Sequence, residues 1–229
     1  MKTVETKTNS RRAFTLIELL AVITIIGVLA AFLVPTIGAV KRHELISKTQ
    51  AEMAQVETAI ERYKAAYGFY PPDSTETLNN VPITQLYYEL LGTTNNGGTY
   101  QTLDGNAPIS AGLVSTAFGA NVGGFINCSK TNADESTEQA RNFLPDLRQN
   151  QIETVTNPPN SGILVTLLSG SVGGSSPLGS NINPWRYNSH NPTNNPGSYD
   201  LWIQIVIKPG QTNLICNWSR QPQINSPLP

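Results

Sequence analysis

Charge is scarce in this chain, and so are the residues that most often carry chemistry. Only 14% of the 229 residues are charged, and there are two cysteines and two histidines. Two cysteines cannot build a disulfide scaffold or a four-thiolate zinc site. The histidines are isolated. His43 follows Lys41-Arg42, and His190 lies in an Asn/Pro stretch with no Cys, His or acid at metal-ligand spacing. No serine sits in a nucleophile elbow, and the Gly-rich run 170–179 lacks the Lys-Ser/Thr ending of a phosphate loop. No carboxylate pair is marked out either, so the pattern argues against an enzyme. Basic residues are not in excess (15 against 16 acidic), which leaves no electrostatic footprint for nucleic acid. The 18 Gly and 16 Pro exclude a coiled coil and point to a loop-rich body.

What is present is one long apolar run. Residues 14–40 follow Arg11-Arg12-Ala13, and the only ionisable residue inside them is Glu18. As a helix these residues would extend roughly 40 Å, more than a hydrocarbon core needs, so the run reads as a transmembrane helix. A carboxylate near its beginning costs free energy unless it finds a partner, which marks Glu18 as functional. The positive end of the helix dipole would ease its placement without explaining its purpose. A secretory or twin-arginine export signal fits less well, because those apolar regions run about 7–15 residues and end at a cleavage site.

The heptapeptide Ala13-Phe14-Thr15-Leu16-Ile17-Glu18-Leu19 resembles the processing site of type IV prepilins and type II secretion pseudopilins. The resemblance implies that a prepilin peptidase cuts between Ala13 and Phe14, and that the new N-terminus on Phe14 is N-methylated. Ala13 departs from the glycine usual before the cut. The resemblance also implies a physical role for Glu18 in assembly: it pairs with the Phe14 ammonium of a neighbouring subunit, and two charges costly in lipid offset one another. Gly27 and Pro35 fall where pilin helices carry a glycine and a kink-forming proline. Removing residues 1–13 takes four of the 15 basic and one of the 16 acidic residues, for a net charge near −4.

Beyond the apolar half, Leu45, Thr49, Met53, Val56, Ile60, Tyr63 and Tyr67 step by threes and fours along one helix face. Lys48, Glu52, Glu61 and Lys64 are expected on the other, solvated face. Gly68 ends this amphipathic half, and Pro71-Pro72 forbids its return. Residues 83–91 read as a short amphipathic helix, 92–124 as a long loop, 136–150 as a helix interrupted by Pro145, and 163–168 as a strand. Residues 201–207 and 214–218 are β-rich runs around a Pro209-Gly210 turn, hence a hairpin.

The aromatic turn around Tyr67–Tyr70 and the order Pro184-Trp185, then Gly197-Ser198-Tyr199-Asp200-Leu201, also resemble major pseudopilins. Those proteins bind calcium in a loop before the last strand, which makes Asp200 the implied ligand here. Asn183 stands where an acid would precede the Pro-Trp pair, so calcium binding is expected to be weak and no cofactor is required. A structural Asp200, capping or pairing with Arg186, is the competing reading. Cys128 and Cys216 could form a disulfide outside the cytoplasm or remain two buried thiols, and sequence leaves both open.

The expected fold is α+β and pilin-like, with a long N-terminal helix packed on a small antiparallel sheet. The organisation is a leader at 1–13, a transmembrane and assembly half-helix at 14–40, and an amphipathic half-helix at 41–68. An extracytoplasmic domain at 69–229 would hold an insertion at about 92–160 and a hairpin at 201–218. The resemblance implies a structural filament subunit, foremost a pseudopilin of type II secretion, otherwise a type IV or minor pilin. A membrane-tethered enzyme or binding module sharing the anchor is a third reading. The implied partners are the prepilin peptidase, other copies of itself, minor pseudopilins, an inner-membrane assembly platform and the lipid bilayer. The implied place is the inner membrane, single-pass, with the N-terminus cytoplasmic and the domain periplasmic.

Overall fold

In the computed structural model, described residues are 15–129, 139–156, 163–174, 176–179 and 182–228, with 32–37 described by backbone only. A continuous helix, α1 (Leu16–Tyr67), opens the chain and runs through Pro35 without ending. The chain divides into two units, Met1–Glu44 and Leu45–Pro229.

In the first unit the large apolar side chains of α1 are exposed, from Leu16 at 81% to Leu29 at 59%. They point in every direction around the helix, so this segment has no polar face of its own. Among the described residues no helix is long and apolar enough to cross a membrane.

In the second unit α1 behaves as its spacing predicts. Val56, Ala59, Ile60 and Tyr63 are fully buried, and Leu45, Met53 and Tyr67 pack at the edge of the same core. Each such side chain contributes about 1.5–3 kcal/mol when wholly withdrawn from water. The helix ends at Gly68, whose φ of 85° lets its N–H donate to the Lys64 carbonyl at 2.7 Å. One side chain departs from expectation. Glu52 is buried, not solvated beside Lys48, and it accepts hydrogen bonds from the backbone N–H and hydroxyl of Ser171.

A small hairpin follows, β1 (Thr77–Leu78) and β2 (Val81–Pro82), turned by Asn79 and Asn80 at positive φ. Next comes α2 (Leu86–Leu91), which is shorter than the expected 83–91 and buried on every side instead of amphipathic. The stretch 92–124, expected as a loop, is substantially ordered. It holds β3 (Thr93–Asn96), β4 (Thr99–Thr102), β5 (Ile109–Ser110) and α3 (Ala111–Phe118). With β6 (Cys128–Ser129) these strands make a sheet ordered β5-β4-β3-β6, in which only β3 and β6 run parallel. Its Thr and Tyr residues favour strands, and Gly97-Gly98 supplies the turn, so Asn/Gly composition alone misleads here.

Of the helix expected at 136–150, residues 139–150 are described, and the one helical turn that reaches into them is a 3-10 turn at Gln149–Gln151. The Phe143 N–H donates to the Leu90 carbonyl and the Leu144 N–H to the Asn142 side chain, so this backbone is committed away from helix. Strands β7 (Ile152–Thr156) and β8 (Leu164–Leu168) form an antiparallel pair.

The main sheet closes the chain. It contains β9 (Arg186–Asn188), β10 (Asp200–Lys208), β11 (Gln211–Cys216) and β12 (Ser219–Ile224), all antiparallel and ordered β12-β11-β10-β9. Leu201, Ile203 and Ile205 alternate along β10 and are wholly buried in the same cluster as the α1 stripe. The fold is α+β: a long N-terminal helix, then antiparallel sheets, consistent with a pilin-like architecture.

Candidate functional site

The N-terminus of α1 is where the sequence concentrates its signal. Thr15 precedes the first helical residue and stands three positions before Glu18. Its backbone N–H donates to Glu18 Oε2 at 2.9 Å, and its hydroxyl donates to the same oxygen at 2.7 Å. The Glu18 N–H in turn reaches Thr15 Oγ1 at 3.3 Å. This reciprocal arrangement is a capping box, and it satisfies donors that the start of a helix otherwise leaves open. The Thr-x-x-Glu spacing that encodes it is legible in the sequence, yet a reading focused on the charge of Glu18 passes over it. In an isolated chain, therefore, Glu18 is not a bare carboxylate. Ala13 and Phe14, the residues of the expected cut and methylation, lie outside the described residues.

A second polar centre ties α1 to the domain, and sequence reasoning missed it. Glu89 of α2 is 0% exposed. It accepts from the Tyr63 hydroxyl at 3.0 Å, the Ile126 N–H at 2.9 Å and the Asn127 N–H at 3.0 Å. Asn127, also fully buried, donates to the backbone carbonyls of Glu89 and Arg141 and accepts from the Arg141 N–H and the Tyr67 hydroxyl. Burial pushes the Glu89 carboxyl above its usual range, and the Asn127, Ile126 and Tyr63 donors partly offset that. The buried acid thus fastens the helix end, α2 and the 125–128 segment together. No motif announces it, because its partner Asn127 lies 38 residues away.

The remaining expected residues are dispersed. Asp200 is buried at the start of β10, and its carboxylate is bonded to the loop before it instead of to Arg186. Arg186 is buried opposite Trp202, and its Nη1 has no hydrogen-bond partner. Asn183 is also buried and donates to the carbonyls of Val172 and Gln204. Cys128 and Cys216 are both free thiols and sit on different sheets. An open cleft of about 300 Å³ is lined in part by Asp73, His190, Thr193, Asp200 and Trp202. Loop amides donate to both of its carboxylates, to Oδ2 of Asp73 and to both oxygens of Asp200.

The family described as "Prokaryotic N-terminal methylation motif" matches residues 8–34, the segment that contains the Thr15–Glu18 box. The chain is also 38% identical over 64 residues to the type II secretion system core protein G of Escherichia coli (strain K12). That match covers 28% of this chain and 44% of the relative, so the chain spans less than half the length of the curated protein it matches. No solved structure matches. The chain thus carries a prokaryotic N-terminal methylation motif and is similar, over part of its length, to a type II secretion core protein.

Proposed function

We propose that this chain is a structural subunit of a membrane-assembled filament, foremost a pseudopilin of a type II secretion system. The observation that carries the reading is a single carboxylate, Glu18, at the start of a helix whose large apolar side chains are exposed from Leu16 onward. Ten of them between residues 16 and 29 are about half exposed or more, and covering them would contribute on the order of 10 kcal/mol. A bilayer first and neighbouring helices later would supply that cover. The segment is then stored as a single inner-membrane span, with its domain in the periplasm.

In this account a prepilin peptidase cuts between Ala13 and Phe14, and Phe14 is N-methylated. Glu18 changes partners on assembly, from its own Thr15 to the Phe14 ammonium of another subunit. The local box lowers the cost of keeping the acid in the membrane, and the intermolecular pair rewards one axial register. Other copies of the chain, minor pseudopilins and an inner-membrane platform are the partners of that assembly. The role is structural and not enzymatic. Mass spectrometry of the membrane-extracted protein tests the first step. An N-methylated terminus at Phe14 is expected, and an intact leader in cells with an active prepilin peptidase would overturn it.

A further inference from the structure

Calcium is the cation that the C-terminal resemblance implies, with Asp200 as its carboxylate. The residues present do not fit it. Asp200 is 2% exposed, and four N–H donors already face its oxygens. The backbone N–H groups of Thr193 and Asn194 reach Oδ2 at 2.9 Å, and the Asn194 side-chain amide reaches it at 3.1 Å. The Asn195 N–H reaches Oδ1 at 2.9 Å. Three of these N–H hydrogens crowd Oδ2 and one faces Oδ1, so positive hydrogens already take most of the roughly four lone-pair directions a carboxylate offers. A cation bound by both oxygens would have to displace the donors on Oδ2 and leave them unpaired.

Neighbouring acceptors are committed in the same way. The Tyr199 carbonyl accepts from the side-chain amides of Asn195 and Asn217, and the Asn195 carbonyl accepts from the Ser198 N–H. Among the described residues no group of three or more His, Cys, Asp or Glu could hold a metal.

A second carboxylate holds the same loop from the helix side. Asp73 Oδ2 accepts from the Ser189 N–H at 2.9 Å and the His190 N–H at 3.1 Å. Two residues earlier, the Pro71 carbonyl accepts from the Tyr187 and Ser189 hydroxyls, both at 2.8 Å. We propose that Asp73 and Asp200 form a metal-free clamp. Between them they take five backbone amides of residues 189–195 and fix that loop between the exit of α1 and the start of β10. The clamp rests on hydrogen-bond geometry and stands whether or not the chain assembles into filaments.

The test is thermal melting of the full chain in detergent micelles, followed by tryptophan fluorescence, with calcium and with chelator. Isothermal titration of calcium accompanies it, with Asp200→Asn and Asp73→Asn as variants. The expected result is one melting temperature in both conditions and no calcium heat. Asp200→Asn is expected to melt several degrees lower, with no rescue by calcium, since an amide nitrogen would then face N–H donors. Should that variant not fold, the wild-type melts and the Asp73→Asn protein still decide. A calcium-dependent rise in the wild-type Tm would overturn the proposal, and so would variants that melt like wild type.

Discussion

Removing the Glu89 carboxylate should loosen the attachment of α1 to the domain, and the structure sets the scale. In Glu89→Ala the Asn127 N–H, which is fully buried, and the half-exposed Ile126 N–H lose their acceptor, at about 1–3 kcal/mol for the buried one and less for the other, and Tyr63 loses a partner as well. Relief of a buried charge offsets part of that, so a net loss of about 2–4 kcal/mol is expected near neutral pH. Tyr63→Phe removes one donor to a charged acceptor and should cost about 1.5–3 kcal/mol. Because the residues share one bond, the double variant should fall short of the sum. The pH dependence has a definite sign. The folded-state pKa of Glu89 is raised, so the pH-dependent part of its contribution is full below the unfolded value and is lost as pH rises through the folded one, while the hydrogen bonds to the carboxylate remain. The stability advantage of wild type over non-titrating Glu89→Gln should therefore narrow as pH rises above about 4.5. Urea titrations of the full chain, followed by circular dichroism between acid and neutral pH, read all of this. Coincident curves for wild type and Glu89→Ala at every pH would show that the carboxylate holds nothing.

Gly92→Ala should destabilise by about 1–3 kcal/mol, because φ is +74° and the new methyl would stand 2.9 Å from the Arg141 carbonyl oxygen; chemical denaturation checks the shift, and an unchanged midpoint would contradict it. Cys128 and Cys216 should both be labelled by a maleimide after denaturation without reductant. In the native chain Cys216 should react much more slowly, since it is 1% exposed and burial pushes its thiol up. Peptide mass mapping reads both, and a Cys128–Cys216 cross-linked peptide would contradict the free thiols.

Local pattern carried much of this fold. The apolar run, the four-and-three stepping from Leu45 to Tyr67, and the Gly68 and Pro71-Pro72 stop each encode α1 within a few residues of where they act. The β10–β11 hairpin is legible for the same reason, through its β-branched runs around Pro209-Gly210. What escaped depends on distant partners. Glu52 looks solvated until Ser171, 119 residues on, supplies its donors. Glu89 looks like the polar position of an amphipathic helix until Asn127 closes over it. Strands β3 to β6 are short and rich in Thr and Asn, so their pairing, not their composition, makes them a sheet. At the candidate site, Thr15-x-x-Glu18 was legible as a cap, whereas the filling of the Asp200 carboxylate by its own loop was not.

The most direct test of the assembly account is Glu18→Ala, compared with wild type for membrane fraction, mature mass and crosslinked multimers. Removing the acid should ease membrane insertion, and the leader should still be cut, since the peptidase would read the basic leader and the Ala13–Phe14 junction. The multimers should be lost, because the Phe14 ammonium of an incoming subunit would find no partner in an apolar setting. A processed, membrane-bound Glu18→Ala protein without multimers is the predicted result. Multimers at the wild-type level would contradict it.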